Sequence, residues 1–318
     1  MEYKKVVVAG GGILGSQIAF QSAYSGFDVT ILVRKEDAKR GVRAKLEKLR
    51  DTYLDMIKLM EKKEDWANGI ATGDSFNPKE CEKAVLKAYD EIKIVHVQEE
   101  ALTDADLVIE SVTENLELKR EFYKQIAGIL PEKTVLVTNS STLLPSKLAD
   151  ATGRSEKFLS LHFANSIWKH NTAEVMGHPG TDEKYFNELI EFAEAIHMIP
   201  LPVREEKAGY LLNSLLVPFL LSAMDLLANG VSDPETIDKA WTLGTGTPNG
   251  PFRILDTVGL ITAKNIVEQY QKVPGLLSPL LKKMMLPYNY KKMLEMINKY
   301  IDEGKLGKST GEGFYKYK

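Results

Sequence analysis

In the N-terminal part of the chain, apolar runs of strand length alternate with stretches of helical rhythm. Residues 5–9 are a short β-branched run, a glycine cluster follows, residues 13–24 repeat apolar positions at helical spacing, and residues 28–33 are apolar again. Strand, glycine turn, helix and strand in that order open a doubly wound α/β domain. Residues 35–63 are highly charged, with apolar teeth at Val42, Leu46, Leu49, Leu54 and Ile57, the mark of one long helix. Gly69, Gly73, Asn77 and Pro78 make 65–79 a loop, with a helix expected over 82–90. Further strands are predicted at 92–97, 107–112, 134–138, 158–163 and 173–176, with helices at 115–130 and 182–195. Residues 198–203 form a short apolar stretch carrying Pro200 and Pro202. Beyond it the remainder reads as helices with loops at 228–234 and 244–251. The expected fold is α/β: an N-terminal Rossmann-type doubly wound sheet over residues 1–203, then a C-terminal all-α domain over 204–318.

Residues 209–224 carry no charge. The run is shorter than the roughly 20 residues a membrane-spanning helix needs, and Asn213, Ser214 and Pro218 interrupt it. It reads as a helix buried in a core or in a dimer interface. A net charge of −3 over 318 residues provides no basic field for nucleic acid or an anionic membrane. The single cysteine, Cys81, excludes an intramolecular disulfide and a multi-cysteine metal site and fits a reducing compartment. The strand pattern begins almost at the first residue, without a leader pattern, so a cytoplasmic location is expected. His96, His170, His178 and His197 have no metal-like spacing, and no metal is expected.

The glycine cluster Gly10-Gly11-Gly12-Ile13-Leu14-Gly15 contains G-x-G-x-x-G between a strand and a helix. In that context it is a dinucleotide fingerprint. The first glycine allows the tight turn, the second a close approach of the pyrophosphate, and the third close packing of helix on strand. The helix N-terminus adds N–H groups and a positive dipole end. Gly10, Gly12, Ile13, Leu14 and Gly15 are therefore the expected cofactor contacts. At the end of the second strand an NAD site usually carries an acidic residue for the ribose 2′-hydroxyl. Here Arg34 and Lys35 follow, a pair suited to a 2′-phosphate. The retained third glycine, and Glu36 or Asp37 turning back to the ribose, would suit NAD instead. The cofactor is expected to be NAD or NADP, with Arg34 and Lys35 favouring NADP.

Asn139-Ser140-Ser141-Thr142 follows a predicted strand at its C-terminal end, where doubly wound sheets bind ligands; Asn139 is expected on the cofactor side. His162 ends another strand and Glu174 lies in the next. If those strands are neighbours, the carboxylate can fix the imidazole tautomer and stabilise an imidazolium, as proton transfer to or from an alcohol requires.

Taken together, the glycine loop, Val108-Ile109-Glu110-Ser111-Val112-Thr113-Glu114-Asn115, Leu161-His162-Phe163, Gly250-Pro251-Phe252 and Thr310-Gly311-Glu312-Gly313-Phe314-Tyr315 stand in the order found in the 3-hydroxyacyl-CoA dehydrogenase family, which this sequence resembles over nearly its whole length. The runs 138–146 and His162-Phe163-Ala164-Asn165, with Trp168 and 171–176, are most similar to its diketoreductase-like branch. The resemblance implies a nicotinamide-dependent oxidoreductase interconverting 3-hydroxyacyl and 3-oxoacyl compounds, with His162 as general acid/base and Glu174 as its partner. It further implies that Ser141 and Asn213 bond the reacting oxygen or the thioester carbonyl, and that Glu114, Lys119 and Asn165 contact the nicotinamide half of the cofactor. A small 3-hydroxy or 3-oxoacyl substrate, as a CoA thioester or a diketo ester, and a homodimer are the implied partners. Lys39, Arg40, Arg43, Lys45 and Lys48 could hold CoA phosphates or simply form a solvated helix face. A sugar-acid dehydrogenase of the gulonate type and a non-catalytic NAD(P)-binding protein on the same scaffold are the competing readings.

Overall fold

A computed structural model describes residues 3–271 and 288–317 of the chain. Two compact units are present, Met1–Leu211 and Leu212–Lys318.

The first unit alternates strands and helices: β1 (Lys5–Ala9), α1 (Ile13–Tyr24), β2 (Asp28–Leu32), α2 (Ala38–Glu61), α3 (Pro78–Glu91), β3 (Lys93–Val95), α4 (Gln98–Leu102), β4 (Leu107–Glu110), α5 (Leu116–Ile126), β5 (Val135–Thr138), α6 (Ala149–Thr152), β6 (Phe158–Phe163), β7 (Thr172–Met176), α7 (Glu183–Ala195) and β8 (Ile199–Val203). The eight strands form one sheet in the order β3-β2-β1-β4-β5-β6-β7-β8. Strands β1 to β6 pair in parallel, β7 pairs antiparallel with β6, and β8 parallel with β7. Because β2 and β3 lie on one side of β1 and β4 on the other, the chain changes direction at β1/β4. The C-terminal ends of those strands therefore border a ligand crevice.

Alternation along the strands divides the core. Val6 and Val8 pack with residues of α1, α2, α3 and α7 on one face, while Val7 and Ala9 pack with α4, α5 and α6 on the other. Strands covered on both faces read as unbroken apolar runs, as β4 and β5 do, with every residue buried. Pro200 and Pro202 are tolerated because β8 is an edge strand.

Three local differences from the periodicity have simple causes. Helix α2 buries Val42, Leu46, Leu49, Tyr53, Ile57 and Met60, so Tyr53 rather than Leu54 continues the inward stripe. Its hydroxyl donates to Gln21 Oε1 at 2.6 Å, which lets a polar tip lie inside the core. Helix α3 starts at Pro78, before the predicted 82, because Asn77 accepts from the Glu80 N–H and proline fits the first turn. Helix α4 is too short to leave a periodic signal.

The second unit is helical: α8 (Leu212–Ala228), α9 (Pro234–Thr245), α10 (Pro251–Val258), α11 (Leu260–Gln271) and α12 (Tyr290–Asp302). Leu220, Leu221, Met224, Phe252, Leu255, Met293 and Ile297 form its core. Among the described residues no helix is long and apolar enough to cross a membrane. The first turns of α8 are not covered within the single chain, where Leu215 is 75% exposed.

The C-terminal Thr-Gly-Glu-Gly-Phe-Tyr block is fastened by two buried carboxylates. Asp256 accepts from Phe314 N–H at 2.8 Å, Tyr315 N–H at 2.9 Å and Tyr317 Oη at 2.8 Å. Asp238 accepts from the Phe252 and Arg253 N–H groups that begin α10, and from Tyr315 Oη. Asp256→Ala leaves three partly buried donors without their acceptor. It is expected to destabilise the protein by about 2–4 kcal/mol, read as a lower denaturation midpoint; an unchanged midpoint would show that the block is not held this way.

Candidate active site

Register brings the acid/base pair together. In the antiparallel ladder β6/β7, His162 lies directly opposite Glu174. Opposed residues point to the same face with their Cβ atoms about 5 Å apart. Glu174 Oε2 lies 2.8 Å from His162 Nδ1, with both side chains nearly buried. The carboxylate accepts the Nδ1 proton, so in the neutral ring the lone pair sits on Nε2. Nε2 lies 3.1 Å from Ser141 Oγ, and Ser141 keeps partial exposure. The other carboxylate oxygen of Glu174 accepts from the Leu211 N–H at 2.8 Å. The imidazole is stacked on the Tyr210 ring, with centroids 4.4 Å apart and planes inclined by 9°.

Ser141 is placed by a turn after β5, and Glu114 organises that turn. One Glu114 oxygen accepts from Ser140 Oγ at 2.6 Å, Thr142 N–H at 3.0 Å and Thr142 Oγ1 at 2.8 Å; the other lies 3.4 Å from Lys119 Nζ. Burial pushes the Glu114 carboxyl up, but these hydrogen bonds and the Lys119 charge outweigh it and hold it below the usual range. Because the folded-state value is the lowered one, the contribution of this ordering is complete above the ordinary glutamate range and is lost only as the pH falls through the lower folded-state value. Below the turn lies Glu110, the last residue of β4, fully buried. It accepts from Lys119 Nζ at 2.6 Å, Val112 N–H at 2.7 Å, Thr138 Oγ1 at 2.8 Å and Tyr123 Oη at 3.0 Å. Asn139 bridges strands: its Oδ1 accepts from Phe163 N–H, and its Nδ2 donates to Ser111 Oγ.

The glycine loop lies at the C-terminal end of β1, beside β4. A Cβ on Gly10, whose φ is +121°, would fall 2.3 Å from the Ser111 carbonyl oxygen, and one on Gly15 would fall 2.1 Å from the Gly10 carbonyl oxygen. These two glycines are required by the turn and by the packing of α1. Gly12 differs: a Cβ there would meet nothing within 4 Å, and no side chain caps the first turn of α1. Bare, exposed backbone at an uncapped helix N-terminus fits a pyrophosphate. Ile13 is exposed and Leu14 half-buried. Arg34 and Lys35 are exposed just beyond β2. Glu36 is engaged with Lys39 at 2.8 Å and His96 at 2.7 Å, and Lys39 foremost holds its carboxyl below the usual range. Of the basic residues on α2, Arg43 donates to the Tyr89 and Ile92 carbonyls and Lys45 to the Gly11 carbonyl. Those two brace the fold.

Residues 5–206 match the family model described as 3-hydroxyacyl-CoA dehydrogenase, NAD binding domain, and residues 209–317 match that of the C-terminal domain. The chain belongs to the 3-hydroxyacyl-CoA dehydrogenase family. It is 34% identical to the mitochondrial hydroxyacyl-coenzyme A dehydrogenase of Homo sapiens over 319 residues, covering 99% of this chain and 91% of that protein. It is 30% identical to a probable 3-hydroxybutyryl-CoA dehydrogenase of Bacillus subtilis (strain 168), covering 100% and 98%. The solved structure of a diketoreductase, described for its dual catalysis of dicarbonyl compounds, superimposes with a TM-score of 0.83 at 45% identity over 100% of both chains.

In this member of the 3-hydroxyacyl-CoA dehydrogenase family, His162, Glu174 and Ser141 form one hydrogen-bonded set. Glu114, Lys119 and Asn139 stand in the scaffold around it, Lys119 with only 1% of its surface exposed. Asn165 is exposed in the loop after β6, and Asn213 lies in the first turn of α8, in the second unit. Glu110, Ser140 and Tyr210 were not singled out by the sequence reading. Glu110 left a signal, the lone charge closing the apolar run of β4. For Tyr210 the signal was weaker, an aromatic residue after a glycine ahead of an uncharged helix.

Proposed function

We propose that this protein interconverts 3-hydroxyacyl and 3-oxoacyl groups, with His162 as the general acid and base. The observation that supports it best is the imidazole engaged at both nitrogens, by Glu174 at Nδ1 and Ser141 at Nε2, at the C-terminal end of a sheet whose glycine loop fits a dinucleotide. A nicotinamide coenzyme, whose pyrophosphate would be held by the glycine loop at Gly10, Gly12 and Gly15, would supply the hydride chemistry at the carbon that bears the reacting oxygen. In the oxidative direction Nε2 takes the hydroxyl proton, and Glu174 stabilises the imidazolium through Nδ1. In reduction Nε2 returns the proton to the oxygen. The Ser141 hydroxyl donates to that oxygen as its charge changes.

Exposed Arg34 and Lys35, with Glu36 already engaged by Lys39 and His96, support NADP(H) as the preferred coenzyme. Arg34→Ala is then expected to weaken NADPH binding about tenfold, one charge-assisted contact, while NADH binding changes less than twofold in fluorescence titration. Much tighter binding of NADH than NADPH by the unaltered protein would refute the NADP reading. Exposed Leu212, Leu215, Trp241 and Leu243 in the second unit support a homodimer formed through helices. The buried free thiol of Cys81 accords with a reducing compartment such as the cytoplasm.

For the acyl carrier, the 45% identity to a diketoreductase across the whole chain favours a second reading, a diketo ester in place of a CoA thioester. One plate of assays separates these: acetoacetyl-CoA, a 3,5-diketo ester and a sugar acid, each with NAD(H) and NADP(H). Turnover of a 3-oxo compound is the expected result. Turnover of the sugar acid alone, or of nothing, would overturn the proposal.

A further inference from the structure

The segment after β8 does more than lead out of the first unit. Gly209 and Tyr210 both adopt left-handed backbone, with φ of +82° and +52°. That conformation is uncommon for a bulky residue and costs on the order of 1 kcal/mol or more. The contacts made there hold it in place. Glu206 Oε1 accepts from the Ser146 N–H at 2.8 Å, and the Tyr210 N–H returns to the Lys207 carbonyl at 3.0 Å. The Tyr210 side chain is only 1% exposed and packs with Met176, Val203 and Leu144. Its hydroxyl donates to the Ser140 carbonyl at 2.7 Å, and its ring lies flat against the His162 imidazole. The next residue, Leu211, gives its N–H to Glu174. Two consecutive residues thus touch every member of the His162, Glu174 and Ser141 set or the peptide beside it.

We infer that Tyr210 is a positioning residue for the acid/base pair, an inference that rests on the role proposed for His162. Hydrogen bonds at imidazole nitrogens, here to Glu174 and Ser141, are directed along in-plane lone pairs and N–H bonds. They fix where the nitrogens point but resist tilting out of the plane only weakly. A parallel aromatic face supplies that restraint. The hydroxyl acts on the other partner: by holding the Ser140 carbonyl it fixes the peptide that carries Ser141. Burial foremost, then the nearby carboxylates of Glu114, Glu174 and Glu110, push the phenol pKa well up, so the hydroxyl stays a donor. The left-handed turn is what lets one side chain serve both, because it turns the ring back over the end of β6.

The test compares Tyr210→Leu, Tyr210→Phe and His162→Gln, alone and combined, using reduction of whichever 3-oxo compound the protein turns over. Tyr210→Leu is expected to lower kcat about 10–100-fold, the cost of a misplacement on the scale of 1 Å, with the NAD(P)H dissociation constant within about twofold. Tyr210→Phe, which keeps the ring, is expected to recover most of that loss and to retain a deficit of about three- to tenfold from the missing hydroxyl bond. In the His162→Gln background Tyr210→Leu is expected to cause no further loss, because the tyrosine acts through the histidine. A kcat within twofold of the parent in Tyr210→Leu would overturn the inference, and so would an undiminished loss in the His162→Gln background. If Tyr210→Leu does not fold, Tyr210→Phe decides: full activity overturns the inference, a several-fold fall in kcat alone upholds it. Retained turnover in His162→Gln would instead remove the proposed role of the histidine, a separate failure.

Discussion

His162→Gln lowers turnover by about 10²–10⁴-fold, the usual contribution of a positioned general acid or base, and leaves coenzyme binding near that of the parent. The size follows from the geometry. Glutamine can keep a hydrogen bond to Glu174 or to Ser141, but its amide cannot take a proton from the substrate hydroxyl or return one to the oxygen at neutral pH. Binding is spared because His162 lies on β6, two strands beyond the β1/β4 switch point where the glycine loop receives the dinucleotide. Steady-state kcat with fluorescence titration of NADH and NADPH makes the check. A variant within a few-fold of normal turnover would take His162 out of the chemistry. A variant that fails to bind coenzyme would show that the two functions are not separated in this way.

Lys119→Met should be the most damaging substitution for stability. Glu110 is fully buried and Lys119 almost so, and their 2.6 Å contact is the charged centre of a network completed by Val112 N–H, Thr138 and Tyr123. Removing the ammonium leaves a carboxylate inside the sheet with neutral donors only, at a cost of about 3–5 kcal/mol. It also frees Glu114, and through it the turn that carries Ser141. A large fall in the denaturation midpoint is expected, and part of it should return in the double variant Glu110→Leu/Lys119→Met, which removes both charges. If Lys119→Met melts like the parent and loses only coenzyme affinity, the lysine is a cofactor contact and the network is not structural.

The sequence was informative where one residue type answers to one physical need. Gly10 and Gly15 could be read as a dinucleotide turn because no side chain fits at either position. Strands β4 and β5 could be read from apolar runs because both faces are covered. The pairing of His162 with Glu174 depended on a condition the sequence did not contain, that β6 and β7 be neighbours, and the antiparallel register meets it. What stayed hidden was non-local. Tyr210 is joined to Ser140 across 70 positions. Its left-handed backbone has no compositional mark beyond the glycine before it. Lys119 looks like any helix lysine until β4 places Glu110 beneath it. For the same reason the basic residues of α2 looked alike, although Arg43 and Lys45 brace carbonyls and Lys48 is exposed.

A crystal structure with oxidised coenzyme and a bound 3-oxoacyl ligand tests the central claim most directly. The account places His162 Nε2 about 3 Å from the ligand's 3-oxygen, Glu174 still on Nδ1, and the nicotinamide ring over the carbon bearing that oxygen. A ligand oxygen held by other groups, with the imidazole turned away from it, would contradict the account.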